Sequence, residues 1–150
     1  GKADKRCRKV LPPLVEKTWS RLRKDAAPLT SRSPDPEFHE LRKRAKRARY
    51  TPELVAPTLG RKVEADAQRL VRLATEIQDV LGAHQDAVVA ADEVRAFLAE
   101  GPQDHAFRVA AGRLLAGLRT AADDSRDDFL ERLRPKLDKK KNRGRFDEVG

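Results

Sequence analysis

Four side chains of one stretch, His39, Arg42, Lys43 and Lys46, stand at i, i+3, i+4 and i+7, a spacing that places them on one face of a helix. The stretch FHELRKRAKRARY, Phe38 to Tyr50, holds six Lys or Arg and His39 against a single Glu. On a wheel of about 100° per residue, Phe38, Leu41, Ala45 and Ala48 fall within about 80° of one another and form a stripe fit for burial. His39, Arg42, Lys43, Lys46 and Tyr50 cluster on the opposite side, flanked by Arg47 and Arg49, while Arg44 points elsewhere.

Such a face suits an anion. A solvated helix face ordinarily mixes signs, so that Glu and Lys pair at i,i+4. Here the four spaced residues include no acid, and their repulsion suggests that an external anion supplies the counter-charge. Arg offers a two-pronged fork to phosphate oxygens and Lys a mobile point charge. His39 can donate to an oxygen without being charged, and Tyr50 adds a hydroxyl at the far end. The plain alternative is a solvated face with no ligand. Lys17, Arg21 and Lys24, at i, i+4 and i+7, are candidates for a second wall, with exposed surface charge as the competing reading.

Other chemistries find less support. HELRK begins like a zinc-protease helix but has Lys43 where the second His must stand. His84 and His105 read as isolated and exposed. Asp79 and Asp86 flank Gly82, and N-capping is the plain reading of Asp86; as paired catalytic carboxylates they lack a supporting constellation. There is no Gly-rich phosphate loop, nucleophile elbow or Cys/His metal spacing. The expectation is a binding protein, not an enzyme, with no cofactor and no metal. Nucleic acid is the alternative polyanion. Single strands favour stacking aromatics, and only Tyr50 and Trp19 stand near the basic regions. A duplex groove would compete with the core for Leu41, Ala45 and Ala48.

These residues must be carried by helices. The chain has 150 residues, 38% of them charged and 5% aromatic, so Leu, Val and Ala must supply most of one core. No alternating strand pattern is present. Net charge is +9 but uneven: between His84 and Glu131 ten Asp or Glu outnumber five Arg. A basic end on such a chain points to a polyanionic partner. Cys7 is the only cysteine, which excludes an intrachain disulfide. The first ten residues contain no apolar run of the signal-peptide kind, and no apolar run is long enough to span a bilayer. The chain lacks Met even at residue 1, which reads as a fragment or processed product.

Leu11, Val15, Trp19 and Leu22 predict a first helix, with Pro12 and Pro13 in its first turn. APLTSRSPDPE reads as a linker, with Asp35 as N-cap and Pro36 at the first position of a second helix reaching about Leu59, where Pro52 threatens a kink. Val63, Ala67, Leu70, Ala74, Ile77 and Leu81 give the strongest helical period, ended by Gly82. Val88 to Leu98, Phe107 to Ala121 and Phe129 to Leu137 supply further helices. The expected fold is all-α, an antiparallel bundle of about five to six helices over residues 1–138, followed by a basic disordered tail over residues 139–150.

At this point the residues resemble the conserved-histidine α-helical domain, CHAD. His39, Arg42, Lys46, Arg47, Arg49 and Tyr50 match its His-x-x-Arg and Lys-Arg-x-Arg-Tyr pattern. Gln78, Asp79, Leu81, Gly82 and Asp86 match its Gln-Asp-x-Leu-Gly-x-x-x-Asp segment. The order and spacing agree over roughly residues 10 to 135, with Thr51-Pro52 departing from the usual apolar pair. The resemblance implies two similar helical halves enclosing a basic groove that binds inorganic polyphosphate, of which this chain is similar to the C-terminal one. It further implies supporting roles for Gln78, Asp79 and Asp86, in orienting basic side chains or capping helices. Expected partners are inorganic polyphosphate or a similar polyanion, and a second copy or a missing N-terminal half. No membrane partner is expected. The expected location is cytoplasmic, with polyphosphate granules. Fusion to a triphosphate-processing enzyme is an alternative setting.

Overall fold

A computed structural model describes residues 1–101 and 104–146. Among these, all regular structure is helical, as the Ala- and Leu-rich, Gly-poor composition anticipates. Helix α1 spans Lys2–Ala26, α2 Asp35–Val55, α3 Arg61–Ala99, α4 His105–Asp128 and α5 Arg134–Asp138. A 3-10 turn, Ala56–Thr58, follows α2, and a wide π turn, Phe129–Leu133, joins α4 to α5. That turn stands just before Pro135, which has no N–H for a regular helical bond.

Helix α2 packs between α1 and α3, and α3 packs in turn against α4. The expected stripe Phe38, Leu41, Ala45 and Ala48 is buried. It meets Val15, Trp19 and Leu22 of α1 and Leu70, Ile77 and Leu81 of α3 in one core, which Phe129, Leu133 and Leu137 close from the other side. Trp19 is fully buried and donates its indole N–H to the Ala48 carbonyl at 2.9 Å, so its polar edge enters the core satisfied.

Several boundaries differ from the sequence expectation. Helix α1 begins at Lys2 and runs through Pro12 and Pro13 instead of starting there. Gly82 does not end a helix: the two segments expected on either side are one 39-residue helix, about 58 Å long at 1.5 Å per residue. A mid-helix glycine costs only about 1 kcal/mol relative to alanine, and burial of Ile77, Leu81, Ala87 and Ala91 along α3 outweighs it. Asp86 therefore lies inside a helix and caps nothing. Asp35 is the first residue of α2 and not its cap, since Pro34 holds that position.

The basic tail is also different. Lys140–Asn142 form a 3-10 turn, Asn142 and Gly144 are buried, and Phe146 packs against the core. Only the last four residues of the expected disordered segment lie outside the described residues. Beyond the core, α3 and α4 continue as a two-helix hairpin with Phe107 and Leu114 exposed. No helix among the described residues is long and apolar enough to cross a membrane.

Candidate anion-binding site

The edge of α2 that borders α3 carries two half-buried arginines, Arg42 and Arg49. Arg42 is half-buried and lies across Gly82 of α3. A Cβ at residue 82 would stand 3.3 Å from its Nε and 3.6 Å from its Nη2. A side chain at residue 82 would make the guanidinium give way by a few tenths of an ångström, so glycine lets it rest closest to the helix. The Arg42 Nε is buried with no hydrogen-bond partner among the described residues, and so is Nδ1 of His39, three residues earlier. Seven residues after Arg42, Arg49 is steadied from α3. Its Nη1 donates to Gln78 Oε1 at 2.9 Å, its Nε lies 3.6 Å from Glu53, and its guanidinium sits 4.9 Å from the centre of the Tyr50 ring. Gln78 and Gly82 are four residues apart on α3, one turn, so a single strip of that helix seats both arginines.

Lys46, Arg47 and Tyr50 are exposed on the outer side of this edge. Neither Lys46 nor Arg47 forms an ion pair or side-chain hydrogen bond among the described residues. Lys43 differs from expectation. It pairs with Glu40 at 2.8 Å, and that contact holds the Glu40 carboxyl below its ordinary pKa. The one acid of the stretch thus partly neutralises one of its cations. Arg44 does point elsewhere, with Nε 3.0 Å from Asp25 of α1.

Lys17, Arg21 and Lys24 are all exposed on α1, which packs against α2 beside Arg44 and Asp25. Lys24 shares a surface pocket with Arg44, Glu37 and Glu40. Lys24 thus lies on the Arg44 side of α2. Asp79 and Asp86 are exposed on α3, and neither holds a basic side chain among the described residues, whereas Gln78 does.

His84, expected to be isolated and exposed, is fully buried. It lies on the same stripe of α3 as Leu81, Ala87 and Ala91. Its Nε2 is 3.1 Å from Asp35 Oδ1, and Arg126 of α4 donates to the same oxygen. The Phe38 ring packs 5.3 Å from the imidazole and takes the Arg126 guanidinium 4.5 Å over its face. Burial pushes the His84 pKa down, partly countered by the Asp35 charge and reinforced by Arg126. This cluster pins the first turn of α2, and hence the phase of its basic edge, to both α3 and α4. Sequence reasoning missed it because its three members are 42 to 91 residues apart. His105 is exposed, as expected. Among the described residues no group of three or more His, Cys, Asp or Glu could hold a metal ion.

The arrangement is a row of basic side chains along the α2–α3 edge, with Arg42 and Arg49 seated against α3. A family model described as the CHAD domain matches residues 1–95. No curated protein matches the chain, and no solved structure matches it. The matched span takes in α1, α2 and α3 as far as Arg95, which includes every residue of the Arg42–Gly82 edge. Motif, fold and family model agree, and the chain belongs to the CHAD domain family.

Proposed function

We propose that this chain binds inorganic polyphosphate along the α2–α3 edge and catalyses no reaction on it. The association of CHAD domains with polyphosphate and triphosphate supports the choice of ligand. The observation that carries the reading is a pair of buried nitrogens without a hydrogen-bond partner among the described residues, Arg42 Nε and His39 Nδ1, three residues apart on α2. A buried polar group without a partner costs roughly 1 to 3 kcal/mol, and two within one turn, next to unpaired Lys46 and Arg47, favour an oxyanion that satisfies them. His39 serves as a donor here, Arg42 and Arg49 as seated forks, Lys46 and Arg47 as mobile charges. The proposed location is the cytoplasm, with polyphosphate granules.

The test is a competition experiment with labelled polyphosphate against duplex DNA and single-stranded RNA at matched charge and salt. Polyphosphate should win, and its affinity should fall steeply as salt rises, because binding releases counterions. Equal displacement by RNA would favour a nucleic-acid reading instead. Incubation with tripolyphosphate should release no phosphate above the buffer rate.

A further inference from the structure

The basic C-terminal segment is fixed to the body of the fold by three separate anchors. Asn142 is buried, accepts from Arg69 Nε at 3.3 Å and donates to the Lys136 carbonyl at 3.0 Å. Arg69 also donates to the Lys141 carbonyl at 2.7 Å. Gly144 has φ +76°, and a Cβ there would lie 3.0 Å from the Val15 carbonyl oxygen and 3.1 Å from Trp19 Cβ, so the chain turns where only glycine fits. Arg145 then pairs with Glu16 of α1 at 2.8 Å.

This docking gathers like charges. Lys140, Lys141 and Arg145 line a surface pocket of about 510 Å³ together with Lys62, Asp66 and Arg69. Five cations face one acid, and that acid is bound to Arg69 at 2.8 Å. Lys62, Lys140 and Lys141 form no ion pair or side-chain hydrogen bond among the described residues. A free tail would spread its lysines apart, because neighbouring cations repel; here they are held together at an entropic cost. We infer that this pocket is a second anion site, taking a short run of an inorganic phosphate chain. Lysine supplies hydrated point charges suited to a multiply charged oxyanion, and no aromatic ring lines the pocket to stack a base. No residue of α2 contributes to it, so the site stands apart from the α2–α3 edge and does not rest on that reading. Two such sites on one chain would hold a long polyphosphate at two points, raising its effective concentration at each.

Calorimetric titration of the full chain with inorganic tripolyphosphate at low salt tests the inference. The double variants are K140E/K141E in the tail, R42E/K46E on α2, and R108E/R113E, an equal charge change on exposed residues of α4. The wild type and R108E/R113E should bind two tripolyphosphates per chain. K140E/K141E should keep one, with the other weakened at least about tenfold, the scale of losing one charge-assisted contact. R42E/K46E should keep the tail site alone. Asn142→Ala, which leaves every charge in place but releases an anchor, should also weaken the tail site. The inference is overturned if R42E/K46E abolishes all binding, or if K140E/K141E matches R108E/R113E in stoichiometry and affinity. Failure of the α2 reading looks different: R42E/K46E would bind like the wild type while K140E/K141E lost everything.

Discussion

Arg42 and Gly82 face each other across the α2–α3 contact so closely that a methyl group on residue 82 would stand 3.3 Å from the Arg42 Nε. The glycine matters to the fold and to the site in opposite ways. Within α3 it is a weak helix former, and at the contact it is the seat of a guanidinium.

Gly82→Ala should separate these two effects. Alanine is favoured in a helix interior by about 1 kcal/mol, so thermal stability should hold or rise. The added Cβ must displace the guanidinium by a few tenths of an ångström or more, and polyphosphate affinity should fall by about fivefold, the equivalent of roughly 1 kcal/mol. A melting curve and a binding isotherm on the same preparation decide it. Raised stability with unchanged affinity would show that the seated position of Arg42 is not used.

Charge reversals should divide α2 by face rather than by count. Lys46→Glu, on the exposed edge beside Arg42, should lower polyphosphate affinity strongly and leave helicity and stability unchanged. Arg44→Glu should do the reverse. It turns the Asp25 contact on α1 into a repulsion, at a stability cost of up to about 1 kcal/mol for a partly exposed pair, with a smaller effect on binding. Equal affinity losses at positions 44 and 46 would reduce the site to undirected charge.

How far the sequence revealed this site follows from the range of its contacts. The buried stripe of α2 and the outward cations were legible because both are periodic within one helix, where i, i+3 and i+4 neighbours are fixed by geometry. Arg44 was correctly set apart by the same reasoning. The Gly82 seat was not legible: read locally, a glycine after Leu81 is a helix terminator, and only the approach of Arg42 from 40 positions away explains its place in mid-helix. His84 failed for the same reason, since its partners lie on two other helices. The tail has no periodicity and so reads as disordered, yet Asn142, Gly144 and Phe146 each find a specific niche. For the second wall on α1, no periodicity states which side of α2 the α1 helix will take.

The association state should respond to the ligand. Two chains of net charge +9 repel when their basic faces approach, unless an anion lies between them. Sedimentation in low-phosphate buffer should show a monomer or a weak dimer, and added polyphosphate should shift the distribution toward the dimer, the commonest closed assembly. A complex with short polyphosphate that stays strictly monomeric, whatever number of ligands each chain holds, would remove pairing from the account.

His84 should give the fold an acid-side limit. In the folded chain its pKa lies below the ordinary 6.5, first because burial disfavours the charged ring, with Arg126 adding to that and Asp35 and Asp123 opposing it. In the unfolded chain it titrates normally. Above about pH 6.5 both states carry neutral imidazole and the residue adds no pH dependence. As pH falls below that value the unfolded chain takes up a proton that the folded chain resists, so stability is lost by at most about 1.4 kcal/mol per pH unit. Urea unfolding at pH 7.5, 6.0 and 5.0 should show this decline in the wild type, and a shallower one in His84→Gln, which keeps a polar side chain near Asp35 but cannot titrate. The other histidines and the carboxylates remain in both proteins, so the difference between the two profiles isolates residue 84. Parallel profiles would mean that His84 takes its proton as readily inside the fold as outside it, and that the Asp35–His84–Arg126 cluster accommodates an imidazolium.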